Sequence, residues 1–302
     1  MASKYKLPFY IGYGIILFLI FIYLTFPFEQ LKTRIFATIH QDSGLKIEAT
    51  SVSPLLLRGL GLKFRGVTIS GTIPGLDKNI SKPVTVDKFW IGISPLSLIF
   101  AKPRIKGGTD IFGGSIKVTA NFQDFLKSPP NSVKIKMDDI NLSDILNLEE
   151  EGINLKGDIS GTIKLEGDLS NPVSLSGEID TDISRVSLKK GMISGFTLPD
   201  ISIKKGTIKA SLLKGDLKIE EFEIGSPSED LHFIYTGNIK LGRRIQYSQA
   251  DLVMKIKFSD KLKNDFQAFL PLLEAAKKPD NYYAFRQKGG FADGLPLPVP
   301  LP

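Results

Sequence analysis

The chain has 302 residues, 42% hydrophobic and 24% charged, a balance that excludes a disordered or collagen-like polypeptide. Cysteine is absent, which excludes disulfides, thiolate catalysis and cysteine-ligated zinc or iron–sulfur centres. The net charge of +7 comes mainly from scattered lysines such as Lys204, Lys209, Lys218 and Lys240, placed as on solvated strand faces, so no nucleic-acid partner is expected and the charge suits weak attraction to anionic lipid headgroups.

In chain order, residues 1–6 read as a short cytoplasmic tail, and residues 7–28 carry no charged side chain. About 22 helical residues reach about 33 Å, enough to cross a bilayer's hydrocarbon core, so this stretch is predicted to be a transmembrane helix. Its apolar centre is Ile15, Ile16, Leu17, Phe18, Leu19, Ile20 and Phe21, with Tyr10 and Tyr23 at the interfacial positions. The bulky residues that follow, Thr25 to Glu29, make a poor cleavage site, so an uncleaved anchor is expected. A basic tail before an apolar segment and a long domain places the C-terminal part across the membrane, although Lys4 and Lys6 before the span are nearly matched by Lys32 and Arg34 after it.

Over residues 29–43 the apolar positions, including Leu31, Ile35, Phe36 and Ile39, recur at helical spacing and predict an amphipathic helix that ends near Gly44. From 44 to 288 the period changes to two, predicting a β-rich domain. Between Leu155 and Leu169 the residues Ile159, Ile163 and Leu165 share one side with glycines, while Lys156, Asp158, Lys164 and Glu166 take the other. That alternation marks antiparallel sheet with one apolar and one solvated face. Leu175 and Ile179, then Ile208 and Leu212, then Leu252, Met254 and Ile256 continue the same logic.

A short echo (LKGDI, LEGDL, LSGEI, LKGDL at 155, 165, 175 and 213) places glycines where bulges or bends would curve one extended sheet. Short helices are expected at 141–148, after a capping Asn or Ser, and around Leu262, Phe266, Phe269 and Leu273, kinked at Pro271. Segments 75–83, 126–132 and 225–230 read as loops, and 289–302 as an extended Gly/Pro-rich tail outside any sheet or helix interior. The fold class is therefore mainly β: an N-terminal transmembrane helix, then an extended, curled antiparallel sheet with a few short helices. The aliphatic face of such a curled sheet is either a packed core or a trough for acyl chains.

No catalytic constellation is legible. His40 and His232 have no sequence-adjacent partner or HExxH spacing, the run Glu149–Glu151 reads as a charged turn, and no phosphate-binding glycine motif occurs. Paired acids such as Asp158 and Asp168 fall on a solvated face. The chain is expected to be no enzyme, with no cofactor and no metal.

Residues 24–35 (LTFPFEQLKTRI), 43–70, 90–119 (WIGISPLSLIFAKPRIKGGTDIFGGSIKVT) and 237–262, which include Gly237 and Ser248, resemble the type II secretion system protein N family. The first 120 residues are also similar to the AsmA-like envelope proteins, whose curled sheets handle lipid. The resemblance implies a single-pass protein of the cell inner membrane with its C-terminal domain in the periplasm. Its implied partners are the lipid bilayer and other inner-membrane proteins of the secretion machinery. The alternative is a lipid-binding or lipid-transport protein that holds phospholipid in an apolar β-groove. The family supplies no catalytic residues, and the Pro-rich end departs from its pattern.

Overall fold

The computed structural model describes residues 10, 12–14, 17–18, 20–21, 25–55, 60–73, 78–79, 83–94, 97, 102–123, 130–146, 154–169, 171–189, 191–193, 196–267, 270–292 and 294–301. The chain divides into two compact units, Met1–Gly92 and Ile93–Pro302, where the sequence pattern suggested one β-rich domain over 44–288. Nothing in the two-residue periodicity marks this boundary, because strands continue on both sides of it.

In the first unit, helix α1 (Phe28–Ser43) follows Pro27 and ends at Gly44, whose φ of 71° closes the helix through its amide to His40 O. Its half-buried stripe is Leu31, Ile35, Phe36 and Ile39, at the three- and four-residue intervals of one helix face. The stripe lies on β1 (Leu45–Leu55) and β2 (Leu60–Ile73), an antiparallel pair, and β4 (Val84–Ile93) follows β2 in the sheet order. The two-residue β3 (Lys78–Asn79) pairs with the end of β2.

Phe64 is fully buried at the centre of this unit, its ring 5.3 Å from Phe36 of the helix and 5.8 Å from Phe89 of β4. Leu62, Val67 and Val86 complete the core. Phe64 and Val67 are both buried despite their odd spacing; Gly66 between them, at φ 55°, leaves the extended conformation opposite Thr50, while the register against β1 stays one-to-one on either side.

The second unit is one antiparallel ladder. Its strands are β5 (Arg104–Ile111), β6 (Gly114–Asn121), β7 (Ser132–Asn141), β8 (Asn154–Glu166), β9 (Ser176–Lys189), β12 (Ile201–Leu213), β13 (Asp216–Ile224), β14 (Leu231–Lys240), β15 (Gln249–Phe258), β16 (Tyr283–Gly290) and β17 (Val299–Pro300). They pair in that order, and β17 pairs with β16, so this part of the sheet is open and not a closed barrel. A separate small hairpin joins β10 (Gly191–Ile193) and β11 (Phe196–Leu198). Turns Phe112–Gly113 and Lys214–Gly215 take positive φ at both positions, the tight geometry that matches strand twist.

Short helices sit at the strand ends. Helix α2 (Leu142–Leu146) starts at Asn141, whose side chain accepts from Ser143 N at 2.9 Å. Helix α3 (Asp260–Asp265) is capped by Ser259 Oγ, which accepts from Leu262 N at 3.2 Å. Residues 266–267 leave the helix as a turn, the expected Phe269 lies outside the described residues, and a second helix is α4 (Leu270–Leu273). The expected kinked helix is thus two helices, and Pro271 sits in the first turn of the second, where its missing amide costs no hydrogen bond.

The Pro-rich end also differs from expectation. Val299 and Pro300 form β17 on the edge of β16, Leu301 N donates to Ala284 O at 2.9 Å, and Gln287 Nε2 donates to Pro296 O at 2.8 Å. An edge strand asks for a donor only on alternate residues, so alternating prolines are compatible with it.

Candidate functional site: an apolar sheet face

Of the predicted anchor, Ile15, Ile16, Leu19 and Tyr23 lie outside the described residues. Tyr10, Leu17, Phe18, Ile20 and Phe21 are helical and between 47% and 65% exposed. Among the described residues, no helix is long and apolar enough to cross a membrane.

The register of the second unit sorts its side chains into two faces. Residues paired across strands share a face, and one row runs Val118, Ile135, Ile163, Ile179, Ala210, Ile219, Gly237 and Leu252 from β6 to β15. A second row runs Ile105, Ala120, Val133, Leu165, Gly177, Leu212, Leu217, Ile239 and Ala250. On the other side of the first row lie Met137, Gly161, Thr181, Ile208 and Phe222. Beyond them Ile140, Ile159, Ile183, Gly206, Ile224, Phe233, Ile256 and Tyr283 form a fourth row.

The strands therefore bring the predicted groove residues Ile159, Ile163, Leu165, Ile179, Ile208, Leu212, Leu252, Met254 and Ile256 onto one face. Leu175 lies off the strands, buried in the loop before β9, where its carbonyl accepts from Gly215 N. Thr181 is the polar intruder among these rows, and its hydroxyl donates to Ile208 O at 3.5 Å. Gly157, at φ 154°, bulges β8 and separates the regular rows from its first residues; a Cβ there would come within 3.1 Å of Leu142 of α2.

Burial across this face is uneven. Leu252, Ala250, Ala210, Leu212, Thr181, Ile183 and Ile140 are buried, while Val118, Ile135, Ile163, Ile179, Ile208 and Ile219 are only half-buried. Cover comes at one corner, where Ala276, Tyr283 and Phe285 cluster with Met254, Phe258, Leu270 and Leu273 under the helical segment. Phe222, Phe233 and Tyr235 pack with ring centroids 5.7 to 5.9 Å apart, and the Tyr235 hydroxyl donates to Gln287 Oε1. A sandwich would bury the central rows under a second sheet about 10 Å away. The half-burial of Ile163 and its neighbours is what a single apolar layer gives.

The opposite face is charged and internally paired. Lys164 meets Glu178 at 2.9 Å, Lys209 meets Glu221 at 2.7 Å, and Arg286 makes two bonds of 2.7 and 2.6 Å to Asp251. The Arg286 guanidinium holds the Asp251 carboxyl below its ordinary 3.8. On this face a cavity of about 810 Å³ is lined by Lys218, Lys240, Lys288, Asp216 and Asn238, among others.

Sequence reading missed one group. His232, 3% exposed on the polar face, donates from Nε2 to Glu223 Oε1 at 2.6 Å, and its Nδ1 lies 2.7 Å from the Tyr282 hydroxyl. Burial, with Asp280 and Glu223 nearby, pushes the Tyr282 phenol up. Both imidazole nitrogens are engaged, so the arrangement ties the turn before β16 to β13 and β14. Its partners lie 9 and 50 residues away and become neighbours only through strand pairing. Among the described residues, no cluster of three or more metal-ligating side chains occurs.

Comparison of the chain with protein-family models, with curated proteins and with solved structures returns no match.

Proposed function

We propose that this chain is a non-enzymatic envelope protein, anchored by its N-terminal apolar segment, whose second unit curls its sheet into a groove and holds lipid acyl chains against the apolar face. One observation carries the reading: contiguous aliphatic rows cross the ladder, and Val118, Ile135, Ile163, Ile179 and Ile219 along them are only half-buried, with no covering sheet among the described residues. Uncovered apolar surface on this scale marks a binding surface, because leaving it in water costs about 25 cal/mol per Å². The exposed Leu17, Phe18, Ile20 and Phe21, each helical, support lipid as the solvent of the N-terminal segment. Native mass spectrometry of the detergent-extracted full chain is expected to show co-purifying phospholipid. A bare protein mass would end this reading.

A second reading places the protein in the inner membrane as a single-pass component of the type II protein secretion system, with its sheet in the periplasm. It is favoured by the resemblance of residues 24–35, 43–70, 90–119 and 237–262 to the protein N family. Under it, the apolar face serves partner subunits of the machinery. Deletion of the gene is then expected to deplete exported enzymes from the medium, and an unchanged secretome would remove this reading.

A further inference from the structure

One end of the second unit's ladder carries a surface that the groove does not use. There the loops after β8, β12 and β14 and the end of β16 are stitched together by hydrogen bonds. Gly215 N donates to Leu175 O at 2.9 Å, and Leu241 N donates to Gly215 O at 2.7 Å. Ser248, 1% exposed, accepts from Gly242 N through its hydroxyl and from Phe291 N through its carbonyl, both at 3.1 Å. The side chains on this rim therefore stand on bonded backbone, not on loose loops.

Those side chains are of two kinds. Leu213 is 68% exposed, Tyr247 64% and Val173 37%. Beside them Lys214, Lys240, Arg243 and Arg244 are exposed and make no ion pair with a described residue. No acidic residue falls between Lys240 and Gln249. Carboxylates do share the rim, in Glu166, Asp168 and Asp216, the last being the register partner of Lys240. The helical segment after β15 contrasts with this: Lys263 pairs with Asp260 at 2.8 Å and Lys277 with Glu274 at 3.0 Å.

We propose that this rim docks on the surface of an anionic phospholipid bilayer. Arg243, Arg244, Lys240 and Lys214 meet headgroup phosphates, and Tyr247 and Leu213 enter the interfacial layer, where an aromatic ring with a polar tip and an aliphatic side chain both gain. A lipid surface satisfies both kinds of side chain at once, whereas an acidic protein or a nucleic acid would answer only the cations. The apolar row ending in Leu212, Leu217, Ile239 and Ala250 stops one residue short of this rim, so a docked bilayer would lie next to the apolar face. The inference rests on the reading of the protein as one that works at membranes, and it does not require that the face carry lipid.

The test is flotation of the full chain, held in phosphatidylcholine nanodiscs, with added vesicles. Vesicles containing phosphatidylglycerol are expected to carry the protein upward at low salt and to release it at high salt, while pure phosphatidylcholine vesicles do neither. The double variant Arg243→Ala/Arg244→Ala is expected to bind about ten- to thirty-fold more weakly. Tyr247→Ser is expected to weaken binding with the salt dependence unchanged, and Lys263→Ala/Lys277→Ala to leave it unaltered. Equal flotation of wild type and the double arginine variant overturns the proposal. So does capture of RNA or polyglutamate with no flotation. Docking without co-purified phospholipid keeps the rim and removes the groove; co-purified phospholipid without docking does the reverse.

Discussion

Truncating two side chains on the same face of the second unit separates a packed core from an open layer. Leu252 is 0% exposed, so Leu252→Ala removes three carbons from a filled site and leaves a cavity, at a cost of about 3–4 kcal/mol. Ile163 stands on the same face and is only half-buried. Ile163→Ala also removes three carbons, worth about 0.8 kcal/mol each when fully transferred, so about half of that, ~1.2 kcal/mol, is expected. No cavity contribution adds to it, because no second layer of described residues closes over the site. The assay is urea denaturation of the full chain in nanodiscs, followed by the far-ultraviolet strand band and compared at unchanged slope. If Ile163→Ala costs as much as Leu252→Ala, a covering layer packs on the central rows and the open-face argument fails.

Other consequences are equally specific. His232→Ala loses two hydrogen bonds at a buried position and is expected to cost about 2–3 kcal/mol, while Tyr282→Phe costs about 1 kcal/mol; equal melting of all three proteins would show that the group ties nothing down. Phe64→Ala empties the centre of the first unit at a cost of about 3–5 kcal/mol, and the fluorescence of Trp90, the single tryptophan, on β4 beside Phe89 reports it. Arg286 depresses the Asp251 carboxyl, so the pair's contribution is present above the ordinary value of 3.8 and is lost as pH falls through the lower folded value. Acid melts of Asp251→Asn should lack that part of the decline, and identical acid profiles would refute the assignment.

The strand pattern and the face assignment were legible in the sequence because period-two alternation survives in single strands such as β8, with Ile159, Ile163 and Leu165 opposed to Lys164 and Glu166. Which residues meet across strands was not, since register depends on turns such as Lys214–Gly215 and on bulges such as the one at Gly157. The His232 group was hidden for the same reason: Glu223 and Tyr282 reach it only after β13, β14 and the turn before β16 are in place. The tail misled because a proline-alternating string carries the composition of a polyproline segment, and its pairing with Phe285 and Arg286 uses the edge of β16. The rim around Tyr247 gave no sequence signal beyond two adjacent arginines, because its unity lies in hydrogen bonds between loops distant in the chain.

The apolar face is tested most directly by placing the photoreactive residue p-benzoylphenylalanine at position 163 in the full chain, in native membranes, with position 164 on the charged face as the control. Irradiation is expected to join phospholipid to position 163 and not to position 164. Crosslinks from position 163 that run only to other parts of the same chain would contradict the account.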